Sequence, residues 1–199
     1  MYLRTKNISF KYGDKPVLQN INFEIKTGER IGIVAPSGFG KTTFARIIAG
    51  YQGGYTGEIE TDAPKVDGYN PVQLVFQHPE RAVNPKWIME RTVAESWDPP
   101  QELYDEMGIK PEWLKRFPNE LSGGEIQRFC VIRALNPKTK FLIADEMTTM
   151  LDAITTAQIW NVVMSRADKG EIGLLVISHE KSMLDYVCTK VVDLSKLSN

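Results

Sequence analysis

Two short runs constrain this chain more than anything else in it. Lys140–Asp145 (KFLIAD) and Gly173–Ser178 (GLLVIS) are apolar through their interiors, with no polar residue alternating. A strand that reads this way is covered on both faces, as strands are in a parallel sheet lying between layers of helices. VQLVF (72–76) and VVDL (191–194) are further strand candidates, and helix-like segments, notably Gly124–Leu135 and Ile154–Ala167, fall between the strands. Such alternation predicts an α/β layered fold with right-handed crossovers. Upstream, VLQNINFEIKTGERIGIVA places Leu18, Ile21, Phe23 and Ile25 at mostly alternating positions. It reads as a strand, a turn at Gly28, and a more apolar strand ending at Ala35. Thr42–Gly50 follows as a helix that stops at glycine.

The rhythm breaks between Pro79 and Asn119, where prolines 79, 85, 99, 100, 111 and 118 stand among Trp87, Trp97 and Trp113. That stretch reads as short helices in a subdomain inserted into the α/β core. At 199 residues the chain is long enough for one large domain with such an insertion. A net charge of −1 argues against nucleic acid as the main partner, because phosphate-backbone binding shows as a clustered basic excess. No run is long enough to span a bilayer, and the N-terminus has no signal-peptide core. Cys130 and Cys188 stand far apart, which argues against a disulfide framework or structural zinc and favours a reducing cytosol.

The chemistry centres on VAPSGFGKTT, Val34–Thr43, between a strand and a helix. Successive backbone N–H groups around Ser37, Gly38, Phe39, Gly40 and Lys41 can wrap a phosphate, and the following helix adds its positive end. Lys41 would reach phosphate oxygens and the Thr42 hydroxyl would ligate Mg²⁺. The opening glycine of the usual pattern is Ala35 here; it sits at the strand-to-loop junction, where alanine is tolerated unless the backbone needs positive φ. A glycine-rich turn before a core helix would look the same. The strand FLIADE, roughly a hundred residues on, ends in Asp145 and Glu146, placed respectively to hold Mg²⁺ through water and to polarise an attacking water. LSGGEIQR, Leu121–Arg128, opens a helix with Ser122, Gly123 and Gly124, a second anion site at a helix N-terminus. On that tetrapeptide alone, an ordinary capping box of Ser122 with Glu125 accounts for it.

Together these motifs resemble the ATP-binding cassette (ABC) family of ATPases along essentially the whole chain. PSGFGKTT, Pro36–Thr43, resembles its Walker A motif, LSGGEIQR its signature, and FLIADE its Walker B with the catalytic glutamate. LVFQHPE resembles the Q-loop through Gln77, MLDAIT the D-loop through Asp152, VISHE the switch through His179, and SFKYGD supplies Tyr12 for the adenine. The resemblance implies a nucleotide-binding core at 1–78 and 136–199, of the RecA-like kind with an N-terminal β part, and a helical subdomain at about 79–135. It implies ATP and Mg²⁺ as cofactors, with Gln77 and Asp145 beside Thr42 at the metal. It also implies a head-to-tail pair in which Ser122, Gly123, Gly124 and Glu125 serve the partner's ATP, and Asp152 contacts the opposite subunit.

Three residues depart from the family's pattern: Phe39 inside Walker A, expected against the nucleotide's far side or the partner, Met147 where proline commonly follows the glutamate, and Met150 where the D-loop usually has alanine. None removes a catalytic group, so an active ATPase is expected. VFQHPERAVNPKW and ADEMTTMLDAITTAQIW resemble the cassettes of dipeptide, oligopeptide and nickel importers. That implies a second cassette, identical or a sister, and a membrane permease docked through the helical subdomain, with a solute-binding protein beyond it. The expected location is the cytoplasmic face of a bacterial cell membrane. Trp87, Ile88, Met89 and Trp97 could line the docking groove or simply pack locally. The alternative is a soluble ABC ATPase acting on ribosomes or DNA, although the tandem cassettes, basic linkers and zinc sites usual there are absent. A non-ABC phosphate-loop kinase or GTPase would leave the signature and Gln77 unused. His78 has no partner at ligand spacing and reads as a loop histidine.

Overall fold

A computed structural model describes residues 1–198 of the chain. The predicted parallel sheet is present. It consists of β3 (Arg30–Val34), β5 (Val72–Val75), β6 (Phe141–Asp145), β7 (Gly173–Ile177) and β8 (Lys190–Asp193), in the order β5-β6-β7-β3-β8. Every neighbouring pair in it runs parallel. The apolar runs are explained by where their alternate side chains go. Phe141 and Ile143 of β6, with Leu175 and Ile177 of β7, enter one apolar cluster; Leu142 and Ala144, with Leu174 and Val176, enter another on the opposite face. Each buried residue of this kind stabilises the fold by about 1.5–3 kcal/mol, so a polar substitution on either face is costly.

One cluster is closed by α1 (Lys41–Ile48), through Phe44, Ala45, Ile47 and Ile48, and by a second sheet. That sheet is antiparallel, in the order β2-β1-β4, made of β1 (Tyr2–Tyr12), β2 (Lys15–Lys26) and β4 (Thr56–Thr61). The two strands flanking Gly28 therefore belong to different sheets. The register of β1 on β2 shifts between Thr5 and Phe10. Asn7 and Asn20 take left-handed φ values of 53° and 49° there, a conformation their short polar side chains tolerate. The Asn22 carboxamide oxygen accepts from Asn7 N at 2.9 Å, which satisfies one amide the bulge frees.

The other face is covered by α4 (Gly123–Ala134), α5 (Ala153–Asp168) and α6 (Lys181–Val187). Residues 79–120 form short pieces, as their prolines predict. These are α2 (Met89–Ala94), α3 (Gln101–Glu106) and one-turn helices at Pro79–Arg81, Pro111–Lys115 and Pro118–Glu120. Met89, Val93, Leu103 and Trp113 of this part join the same apolar cluster as β6 and β7. Met89 is fully buried and Trp97 Nε1 donates to the Ile132 carbonyl at 2.9 Å, so local packing accounts for both. Among the described residues no helix is long and apolar enough to cross a membrane.

Candidate functional site

In a parallel sheet all strands end on the same edge, and that edge collects the chain's polar side chains. β3 runs into the glycine loop, β5 into Phe76–Gln77, β6 into Glu146, and β7 into Ser178–His179. The loop leaves an interior strand, because β3 lies between β7 and β8. Gly40 caps α1 with φ 99°, and a Cβ there would lie 2.5 Å from Val17 Cγ1 on β2. Only glycine lets the loop close this tightly against the antiparallel sheet. Ala35 has no positive φ, so the missing first glycine leaves no backbone requirement unmet.

A cavity of about 750 Å³ opens above the loop, lined by Ser37, Gly38, Phe39, Gly40, Lys41, Thr42 and Thr43, with Tyr12 and Glu146. Tyr12 is half exposed, stands edge-on to Phe10, and has its hydroxyl 3.5 Å from Thr43 Oγ1. Phe39 is partly buried against the core cluster nearest the loop while also facing the cavity. The Lys41 ammonium donates to the carbonyls of Ala35, at 2.9 Å, and Pro36, at 3.4 Å. Lys15, Val17, Gln19, Ser195 and Ser198 also line the cavity. Sequence reasoning missed them, since they reach the loop only through pairing of β2 and folding of residues 194–198, and no local pattern marks them.

Asp145 is buried and its carboxylate lies 3.3 Å from the Thr42 hydroxyl. Burial pushes its pKa up, the Thr42 hydrogen bond pulls it down, and neighbouring Glu146 pushes it up again. Glu146 has a left-handed φ of 49°, backbone strain of the kind that collects at functional sites. Its N–H donates to the Ile177 carbonyl at 2.9 Å. Its carboxylate lies between two side chains: Gln77 Nε2 donates to Oε2 at 3.1 Å, and His179 Nδ1 is 3.3 Å from Oε1. Gln77 also lines a smaller cavity with Thr42 and Asp145, so it stands between those two residues and Glu146.

Ser122 caps α4 as a full capping box with Glu125. Ser122 Oγ accepts from Glu125 N at 3.3 Å, and Glu125 Oε2 accepts from Ser122 N at 2.7 Å. The ordinary explanation of SGGE is therefore satisfied, yet it leaves Gly123 unexplained, because a Cβ there would meet nothing within 4 Å. Asp152 caps α5 through Thr155 N at 2.9 Å. Met147 is buried in the core and Met150 is exposed. His78 pairs with Glu80 at 3.4 Å. Cys130 and Cys188 are free thiols, and burial raises them to about 11 and about 12, so neither is poised for redox or metal chemistry.

A glycine loop after a central parallel strand, with an acid pair ending a strand of the same sheet, defines an α/β phosphate-loop nucleotide hydrolase. Residues 18–149 match the family described as ABC transporter. The nickel import system ATP-binding proteins NikE of Staphylococcus aureus strains bovine RF122 / ET3-1 and N315 are each 32% identical to the chain over 204 residues. Each alignment spans 96% of this chain and 85% of theirs. Among solved structures, the dimeric post-hydrolysis state of the ATP-binding cassette MJ0796 bound to ADP and Pi superposes with a TM-score of 0.79. The identity is 23%, over 96% of this chain and 93% of that one. An ATP-binding subunit of an ABC transporter superposes at 0.78 with 20% identity, over 97% and 85%. The chain belongs to the ABC transporter family. It is an ATPase of the cassette type, and the α/β phosphate-loop fold expected from its sequence is the one it has.

Proposed function

We propose that this chain is the ATP-hydrolysing subunit of a bacterial importer, one of two cassettes that close over nucleotide on the cytoplasmic face of a membrane. The observation that carries the paired reading is the distance of the signature residues from the chain's own loop cavity. Ser122, Gly123 and Gly124 are not among the residues lining the chain's own loop cavity, so a second chain is the natural recipient. That the MJ0796 cassette forms a dimer with ADP and Pi supports the same reading.

In this mechanism the loop amides of Ser37–Lys41 and the Lys41 ammonium take the phosphates, Pro36 and Thr43 flank the turn, and Tyr12 meets the base. The Thr42 hydroxyl, the Asp145 carboxylate and the Gln77 amide oxygen form an all-oxygen donor set. It fits a hard cation such as Mg²⁺, which keeps several waters and shares its shell with phosphate oxygens. Mg²⁺ bound there would neutralise charge on the phosphates. Glu146 activates the water, its carboxylate oriented by Gln77 and His179. Asp152 lies where the second cassette would pack, and Glu125 supports Ser122 from within the capping box.

Nickel or a nickel chelate is the cargo to which 32% identity to NikE along 96% of the chain points; the same group of importers includes peptide carriers. The helical subdomain, at about 79–135, is the part we assign to a permease helix, with a solute-binding protein acting from the far side. Sedimentation of Glu146→Gln protein with and without Mg-ATP tests the core of this reading. ATP-dependent dimers with turnover lowered about 10²–10⁴-fold are expected; wild-type turnover in Glu146→Gln would refute it. Cells carrying Lys41→Ala should lose nickel uptake, and uptake equal to wild type would refute the cargo assignment.

A further inference from the structure

Within the signature run, one turn past Ser122–Gly124, α4 carries a side chain that none of these roles uses. Gln127 is 1% exposed. Its amide nitrogen donates to the Phe76 carbonyl at 3.1 Å and to the Met147 carbonyl at 2.9 Å. Phe76 precedes Gln77 and Met147 follows Glu146. One amide group therefore holds the backbone beside both ends of the Gln77–Glu146 hydrogen bond. The Met147 bond also holds the peptide one residue beyond the strained, left-handed Glu146. The other end of the side chain, Oε1, is buried without a partner among the described residues. An orphaned buried acceptor costs about as much as two neutral hydrogen bonds return. An apolar residue of the same size would remove that orphan but leave the Phe76 and Met147 carbonyls without this donor, so what the glutamine supplies is the tie between these two segments.

We propose that Gln127 is a positioning residue for ATP hydrolysis. It ties the helix that begins at Ser122–Gly124 to the backbone of Gln77 and Glu146, so that engagement of those residues with a partner's nucleotide is registered at this chain's own water-activating carboxylate. The inference rests on the reading of Glu146 given above, and the experiment keeps the two apart.

Gln127→Leu keeps the volume and removes both donors; Gln127→Glu keeps the shape and sets an acceptor against two carbonyls. In the full chain with Mg-ATP, both lower kcat by roughly tenfold or more, while KM for ATP and the affinity for a fluorescent ATP analogue stay within about twofold. Gln127→Leu stays folded in assay buffer, with a urea midpoint lowered only modestly, because two carbonyls lose their donor while the orphaned Oε1 is removed. Amide hydrogen exchange at residues 76–79 and 146–149 becomes faster in that variant, with α4 itself unchanged. The proposal is overturned if kcat is unchanged, if it falls only in proportion to ATP affinity or to the folded fraction in assay buffer, or if exchange at those segments equals wild type. Glu146→Gln is assayed alongside. Turnover retained there removes the reading of the site, whereas turnover lost there but kept in Gln127→Leu removes only the role of Gln127.

Discussion

Gly40 holds φ at 99°, and its Cβ position lies 2.5 Å from Val17 Cγ1 and 3.1 Å from Leu18 Cδ2. Two costs add in Gly40→Ala. A left-handed backbone costs an L-residue about 1–2 kcal/mol, and driving a methyl into packed strand side chains costs about 1–3 kcal/mol. The sum, about 2–5 kcal/mol, is a large part of the ~5–15 kcal/mol that separates a folded domain from its unfolded chain. Gly38 is the internal control: its φ is 78°, but a Cβ there meets nothing within 4 Å. Gly38→Ala therefore carries only the backbone cost of about 1–2 kcal/mol, with its methyl facing the phosphate cavity. Ala35→Gly completes the series. With no positive φ at that position, glycine adds unfolded-state freedom worth about 0.4–1 kcal/mol and removes a methyl partly packed on the core. Urea unfolding of the three variants should place Gly40→Ala as the most destabilised, with Gly38→Ala and Ala35→Gly both behind it. Equal midpoints for the two glycine variants would mean that the loop is not seated against β2, and the reasoning would fail.

Gly123→Ala should leave the monomer as stable as wild type or more so, by up to about 1 kcal/mol, because alanine suits the first turn of a helix better than glycine. The same variant should lose ATP-dependent dimers in sedimentation; dimers of wild-type strength would refute the role given to the signature glycines. Asp152 titrates below its ordinary value of 3.8 because the Thr155 backbone N–H, and then its hydroxyl, bond to the carboxylate. The folded chain thus holds this proton less tightly than the unfolded one. The cap's contribution is present above the ordinary value and lost as pH falls through the lower, folded one. The gap in unfolding free energy between wild type and Asp152→Ala at neutral pH should therefore close below about pH 4. A gap that persists undiminished into that range would count against the cap.

Much of this protein is written in local patterns. The runs at 140–145 and 173–178 announce strands buried on two faces, because alternate residues must both be apolar when each face meets a different cluster. Thr42–Gly50 and Gly124–Leu135 carry their own start and stop signals, and the observed helices fall within two residues of them. The first strand is less legible. Its buried residues are Leu3 and Thr5, then Ile8 and Phe10, and the bulge at Asn7 moves the alternation by one position. β4, with sequence TGEIET, is polar and exists as a strand only because β1 offers it an edge. The acid pair and the glycine loop could be picked out from sequence because each is contiguous. The direct contacts of Gln77 and His179 with Glu146, and the grip of Gln127 beside them, could not. Those residues lie far apart along the chain. They meet because the order β5-β6-β7-β3-β8 puts the ends of β5, β6 and β7 side by side on one edge, and a hydrogen bond between strand ends depends on which strands are neighbours, a choice made by long-range packing of both sheet faces.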